Sequence, residues 1–206
     1  QIQDKGILSK LLEKGLRILV LKECNKISNL KINIVATSTQ IIKGEIEQIN
    51  IIAEDIIYKD LLFEKLELDT NNLKINFKLR NKVLYFKNNP KIKFKFSLSQ
   101  KSLKTILFSK NWNWVKNMIS KEILSQKKLE DVQIINDKLI MKASEKNMEI
   151  YQREQIIIRA EKGKIYLRNK TKNTNLLIPI EDKIYIENVN IENNLVNISA
   201  NSSLSF

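Results

Sequence analysis

Between Gly44 and Leu68 the apolar positions change phase. Ile49, Ile51 and Ala53 alternate with polar neighbours, Ile56–Ile57 and Leu61–Leu62 are adjacent pairs, and Leu66 and Leu68 alternate again. On either side the period is two without error. Leu30, Ile32 and Ile34 alternate with Lys31 and Asn33, and Leu73, Ile75, Phe77 and Leu79 with Lys74, Asn76 and Lys78. Ile92, Phe94, Phe96 and Leu98 alternate with Lys91, Lys93, Lys95 and Ser97. These segments predict antiparallel strands with one face in a core and the other in solvent. Thr37–Gly44 reads as a turn, and "KNNP" at Lys87–Pro90 as a break.

Two stretches repeat at helical spacing. Asp4, a candidate N-cap, opens an amphipathic helix to about Lys26, whose broad apolar stripe of Ile7, Leu8, Leu11, Leu12, Leu16, Ile18 and Leu19 is expected to pack into the sheet. Ser99 caps a second helical region carrying Leu103, Ile106 and Leu107. "SKN" at Ser109–Asn111 interrupts it, and Trp112, Val115, Ile119 and Ile123 share a face of a further helix to about Gln126. From Leu129 onward the pattern returns to strands, with "ENN" at Glu192–Asn194 as a hairpin turn.

The order is helix, meander, helix pair, meander, and no linker divides residues 1–206. The expected fold is a single α+β domain with a large antiparallel sheet. The slips at Glu47–Gln48 and Ile56–Ile57 are what bulges produce, and bulges bend strands. They predict a strongly curved sheet wrapped around the long N-terminal helix, with the second helical region mid-chain. An apolar groove is expected where sheet and helix do not meet.

Composition narrows the chemistry. Hydrophobic residues make up 43%, enough for a globular core. Four glycines and two prolines disfavour glycine-rich catalytic loops. With no histidine, the Ser-His-Asp triad, the Cys-His pair and histidine metal sites are excluded. The single Cys24 excludes an internal disulfide and reads as a structural thiol in a helix. No metal or cofactor is expected. The adjacent acids Glu54–Asp55 and Glu181–Asp182 would point to opposite strand faces, so they read as solvated charges, not a catalytic pair. No apolar stretch reaches membrane-spanning length; "GLRILVL" at Gly15–Leu21 is far too short.

The net charge is +13, from 36 Lys plus Arg against 23 Asp plus Glu. Such a field attracts nucleic acid, anionic lipid or acidic protein. Abundant Ile, Lys and Asn suggest an AT-rich genome, which weakens any argument from lysine count. Lys91, Lys93 and Lys95 share one outward strand face, followed by Lys101 and Lys104 on the next helix. These lysines are candidate contacts to an anionic membrane surface, and equally a solvated face. On one helix, Trp112 and Trp114 would point about 160° apart. Trp112 is then buried, while Trp114, near Lys110 and Lys116, becomes a candidate membrane-interface residue.

The segments "LKECNKISNLKINI" (Leu21–Ile34), "IIKGEIEQINIIAEDIIYKDLLFEKLELDTNNLKI" (Ile41–Ile75), "FKFSLSQKSLKTIL" (Phe94–Leu107) and "IENVNIENNLVNISA" (Ile186–Ala200) carry a resemblance. In their order and spacing the chain resembles the LmeA-like phospholipid-binding family, in its cyanobacterial and plastid branch, from about residue 7 to 200. Gly44 matches the glycine before the second strand, and Tyr58, Leu61 and Leu62 match an aromatic-then-aliphatic corner. Leu98, Ser99 and Leu103 match a strand end and helix start. Asp60 departs from an expected glycine, and Asn136–Thr174 matches poorly, as a local elaboration would. The resemblance implies an elongated domain similar to tubular lipid-binding folds, with no reaction and no catalytic residue.

The expected function is therefore non-enzymatic binding, with transfer as its extension, of a phospholipid or other amphipathic lipid at or near a membrane surface. The candidate lining is Leu8, Leu11, Leu12, Ile49, Ile51, Ala53, Phe94, Phe96, Leu103, Ile106 and Leu107, each equally at home in a plain core. The alternatives are a basic nucleic-acid-binding domain and a protein scaffold with a fully packed core. Aromatics at 7%, not interleaved with the lysines, speak against nucleic acid. The expected setting is cytoplasmic or peripheral to a membrane, or the cell envelope if an upstream signal was removed.

Overall fold

The computed structural model describes residues 6–78, 83–145 and 150–203. The elements are α1 (Ile7–Glu23), β1 (Lys26–Val35), α2 (Ser38–Lys43), β2 (Glu45–Tyr58), β3 (Leu61–Lys78), β4 (Val83–Phe86) and β5 (Lys91–Ser99). Then come α3 (Gln100–Phe108) and α4 (Asn113–Met118), continued by a π-helical turn (Ile119–Ile123). Last are β6 (Lys128–Ile135), β7 (Lys138–Ser144), β8 (Tyr151–Glu161), β9 (Lys164–Asn169), β10 (Asn175–Ile178), β11 (Ile184–Glu192) and β12 (Leu195–Ser203). The fold is α+β, with an N-terminal helix, mid-chain helices and antiparallel strands.

Where alternation predicts one large sheet, the strands divide into two. The first runs β1-β2-β3-β5-β12-β11, with β4 paired to the far end of β3; the second runs β10-β9-β8-β7-β6. Alternation reports which face of a strand is buried, not which strand lies beside it, so this division was not readable from it. Neither sheet closes. The chain crosses from β5 through the helices into the second sheet, then returns to pair β12 with β5.

Tight turns are built with few glycines. Lys59–Asp60, Asn136–Asp137, Lys162–Gly163 and Asn193–Asn194 all have positive φ and close two-residue hairpins. Asn and Asp tolerate the left-handed region better than other non-glycine residues. Thr37–Gly44 is a short helix, α2, and not a plain turn. Thr37 and Gln40 form a reciprocal capping box, and Gly44 ends the helix at φ 75°. A Cβ at Gly44 would lie 2.0 Å from the Ile75 carbonyl oxygen, so only glycine fits there. Asp4 lies outside the described residues; the N-cap position of α1 is Gly6.

The phase slips have local causes. Asn72 in β3 has φ 53°, opposite the first slip, and Asp55 in β2 has φ 49°, at the second. Across both slips the β2–β3 register is kept, so the two strands shift face together. Between β1 and β2 the register is irregular from Lys26 to Lys31. The second slip also turns Glu64 under α3, where its carboxylate accepts from the Ser99 amide and the Ser102 hydroxyl, both at 2.7 Å. Ser99 itself accepts from the Ser102 amide as the N-cap.

Candidate functional site

The apolar face of the first sheet can be read across strands from the register. One row is Ile32, Ile51, Leu68, Phe94, Ala200 and Ile186. A second is Ala53, Leu66, Phe96, Ile198 and Val189, and a third is Ile34, Ile49, Thr70, Ile92, Ser202 and Ile184. At the outer strands most members are buried: Ile32, Ile34 and Ala53 on one side, Ala200, Ile186 and Ile198 on the other. On the two central strands, Leu66, Leu68, Ile92, Phe94 and Phe96 are only half-buried. In an ordinary sheet the central strands are the best covered. Here each side has its own cover, and a strip along β3 and β5 lies between them.

The covers define two hydrophobic clusters. One joins β1, β2 and β3 with Leu12, Leu16, Val20 and Cys24 of the α1 region. The other joins β5, β11 and β12 with α3, α4 and the inner face of the second sheet. Leu68 and Ile92 belong to neither cluster. Thr70 is buried on the same face, and its hydroxyl has no hydrogen-bond partner among the described residues. It places one polar group at the edge of an aliphatic and aromatic strip.

The predicted lining is divided accordingly. Ile49 and Ala53 are buried and Ile51 is half-buried, all three facing the core. Phe94 and Phe96 stack at 6.2 Å one strand further on, across Leu68 and Leu66, and Phe63 meets Phe96 edge-on at 5.1 Å. Leu8 and Leu12 are half-buried on α1, but Leu11 is 59% exposed and points away from the sheet. Leu103 is half-buried, and Ile106 and Leu107 are buried in the α3 cluster beyond the strip. Leu66, Leu68 and Ile92 complete the strip. Sequence reasoning left them out because only cross-strand register puts them beside Ile51 and Phe94.

The opposite face of the first sheet is polar. Lys93 and Lys95 pair across strands with Asp69 and Glu67, and Lys91 with Ser203. Glu67 also bridges Lys65 at 2.6 Å. A cavity of about 450 Å³ lies here, lined by Lys65, Lys95, Asn188 and Asn197 among others. It offers an acyl chain little to gain, because its walls carry charged and amide groups. Lys101 is exposed on α3, whereas Lys104 turns to β6 and bridges Asp131 at 2.6 Å. Burial alone would raise the Asp131 carboxyl; Lys104 and the Val132 amide together hold it below its usual value.

The tryptophans do not share a helix. Trp112 precedes α4 with φ −109° and ψ 7°, so helical spacing does not apply. Their rings lie 6.0 Å apart instead of on opposite sides. Trp112 donates to the Lys59 carbonyl at 3.5 Å, and Trp114 is 42% exposed.

Cys24 follows α1, half-buried, and burial together with Glu23 pushes its thiol upward, toward the unreactive protonated form. Glu54 accepts from the Asn29 amide at 2.5 Å, while Asp55 lies exposed at its bend. Asp182 bridges Lys164 at 3.0 Å. Among the described residues the most buried ionic group is in the second sheet. Glu154 accepts from Lys172 at 2.9 Å and from fully buried Asn169 at 3.2 Å. Asn169 also donates to the Ile123 carbonyl, tying the π-turn to the sheet. Burial would raise the Glu154 carboxyl, but Lys172 and Asn169 outweigh it and lower it.

Among the described residues no helix is long and apolar enough to cross a membrane. Comparison of the chain with family models, with curated proteins and with solved structures returns no match.

Proposed function

We propose that this protein binds a phospholipid or another amphipathic lipid without catalysing a reaction, as the resemblance to the LmeA-like family implies. The ligand's acyl chain lies along the half-covered strip on β3 and β5. In this reading the first sheet curves around the α1 side, and the strip is the seam between its two covers. The observation that carries the proposal is the inverted burial: Leu68, Ile92 and Phe94 on the central β3 and β5 are less buried than Ile32 on edge strand β1 and Ala200 on β12. An acyl chain laid there gains about 0.8 kcal/mol per methylene removed from water.

Native mass spectrometry with lipid extraction, and displacement of a fluorescent fatty acid, test it. Leu68→Gln should abolish uptake while circular dichroism stays unchanged. No co-purifying lipid together with no uptake would count against the proposal.

One observation favours nucleic acid as a second reading. Arg153, Arg159 and Arg168 share the outward face of the second sheet with Tyr166, and Arg159 pairs across strands with Tyr166. Arginine forks and a tyrosine ring suit phosphates and bases. Salt-sensitive oligonucleotide binding without lipid uptake would make this the better reading.

A further inference from the structure

We propose that the outward face of α1 is a docking surface for an anionic bilayer. At about 100° per residue, Ser9, Leu12, Leu16 and Val20 fall on one side, and this side packs on the first sheet. Ile7, Leu11, Ile18 and Leu21 fall on the other and are 79%, 59%, 59% and 47% exposed. A surface helix of a soluble domain normally turns charged residues outward. This helix is apolar on both sides, and its sheet takes only one of them.

The charges say what covers the other. Lys10 and Arg17 border the exposed face on one side, Lys14 lies within it beside Ile7, and Lys22, in the last turn, borders it on the other. On the same wheel Glu13 and Glu23 fall toward the packed side. An apolar face with a cationic border lies in the interface of an anionic bilayer, its aliphatic side chains below the headgroups and its cations among them. At 17 residues α1 is about 25 Å long, so it lies along the surface and does not cross it. A second copy is a poorer fit. An antiparallel isologous pair of these faces would set the two basic borders side by side. The net charge of +13 brings the whole molecule to the same surface.

Docking by α1 needs no ligand in the β3–β5 strip, so the two proposals fail separately. The test is co-sedimentation with phosphatidylcholine vesicles, with and without phosphatidylglycerol. Binding is expected only to the anionic vesicles and should weaken with salt. Ile7→Glu combined with Ile18→Glu should lower binding by about tenfold or more. Circular dichroism and fatty-acid displacement should be unchanged in that variant, because both side chains are exposed in the wild type. Lys10→Gln with Lys14→Gln should reduce binding to anionic vesicles by a smaller factor. Wild-type protein that binds neither vesicle overturns the proposal, and so does vesicle binding that survives Ile7→Glu/Ile18→Glu. Concentration-dependent self-association that this variant abolishes, without vesicle binding, also overturns it and assigns the face to a second copy.

Discussion

At its β11–β12 end the apolar face of the first sheet meets a second sheet, together with α3, α4 and the π-turn. At its β1–β2 end it meets one helix. The first contact places Ile119, Ile123, Leu124, Leu129, Val132 and Met141 at 2% exposure or less. The second buries a single α1 residue, Ser9. The chemistry of the two covers is similar, since both are aliphatic. They differ in how many side chains each holds in place and in how firmly it is tied. The second sheet is pinned by Glu154, Asn169 and Lys172, and α3 by Glu64. α1 rests on half-buried leucines and lacks a side-chain cap. A tightly packed cover stabilises the fold; a loosely packed one is free to respond to a ligand or a surface.

The largest expected effect lies in the tight cover. Leu129→Ala should cost about 3 kcal/mol through lost burial and a residual cavity. Leu16→Ala on α1 should cost much less in the same denaturant titration. Equal costs would erase the contrast between the covers.

Next comes the ionic pin. The carboxyls of Glu154 and Asp131 are both lower in the folded chain than their ordinary values of 4.5 and 3.8. A carboxyl depressed by folding adds stability above its unfolded pKa and loses it as pH falls through the folded one. Stability should therefore drop as pH falls below the ordinary carboxylate range. Glu154→Gln should be less stable at neutral pH and show a shallower acid loss. Urea titrations at several pH values measure both.

Glu64→Ala removes two hydrogen bonds at the start of α3 and should cost about 1–2 kcal/mol. If it costs nothing, the second phase slip has no structural role of this kind. The smallest effect concerns α1 alone. Its amides should exchange with solvent well before those of β7 and β8 in a hydrogen-exchange experiment, and anionic vesicles should slow them selectively.

Much of this was legible in the chain. Strict alternation located β1, β5 and the second half of β3, and Ser99 announced α3, because periodicity and capping are local properties. The slips near Gln48 and Ile56 marked real changes of face, although the left-handed residues that cause them are Asp55 and Asn72. Thr37 to Gly44 held a capping box and a terminal glycine that identify α2; its short length hid it among turn residues. Trp112 and Trp114 misled because helical spacing was applied across a helix start.

The sequence by itself determined which side chains are apolar and with what period, the excess of cations, and the lack of histidine that excludes histidine-dependent triads and metal sites. Tertiary structure alone decided that the strands form two sheets, that Leu68 and Ile92 lie beside Ile51 and Phe94, and that Leu11 turns outward. The reason is physical. Periodicity records that a residue is buried somewhere, whereas partners far apart in the chain decide what buries it and how completely.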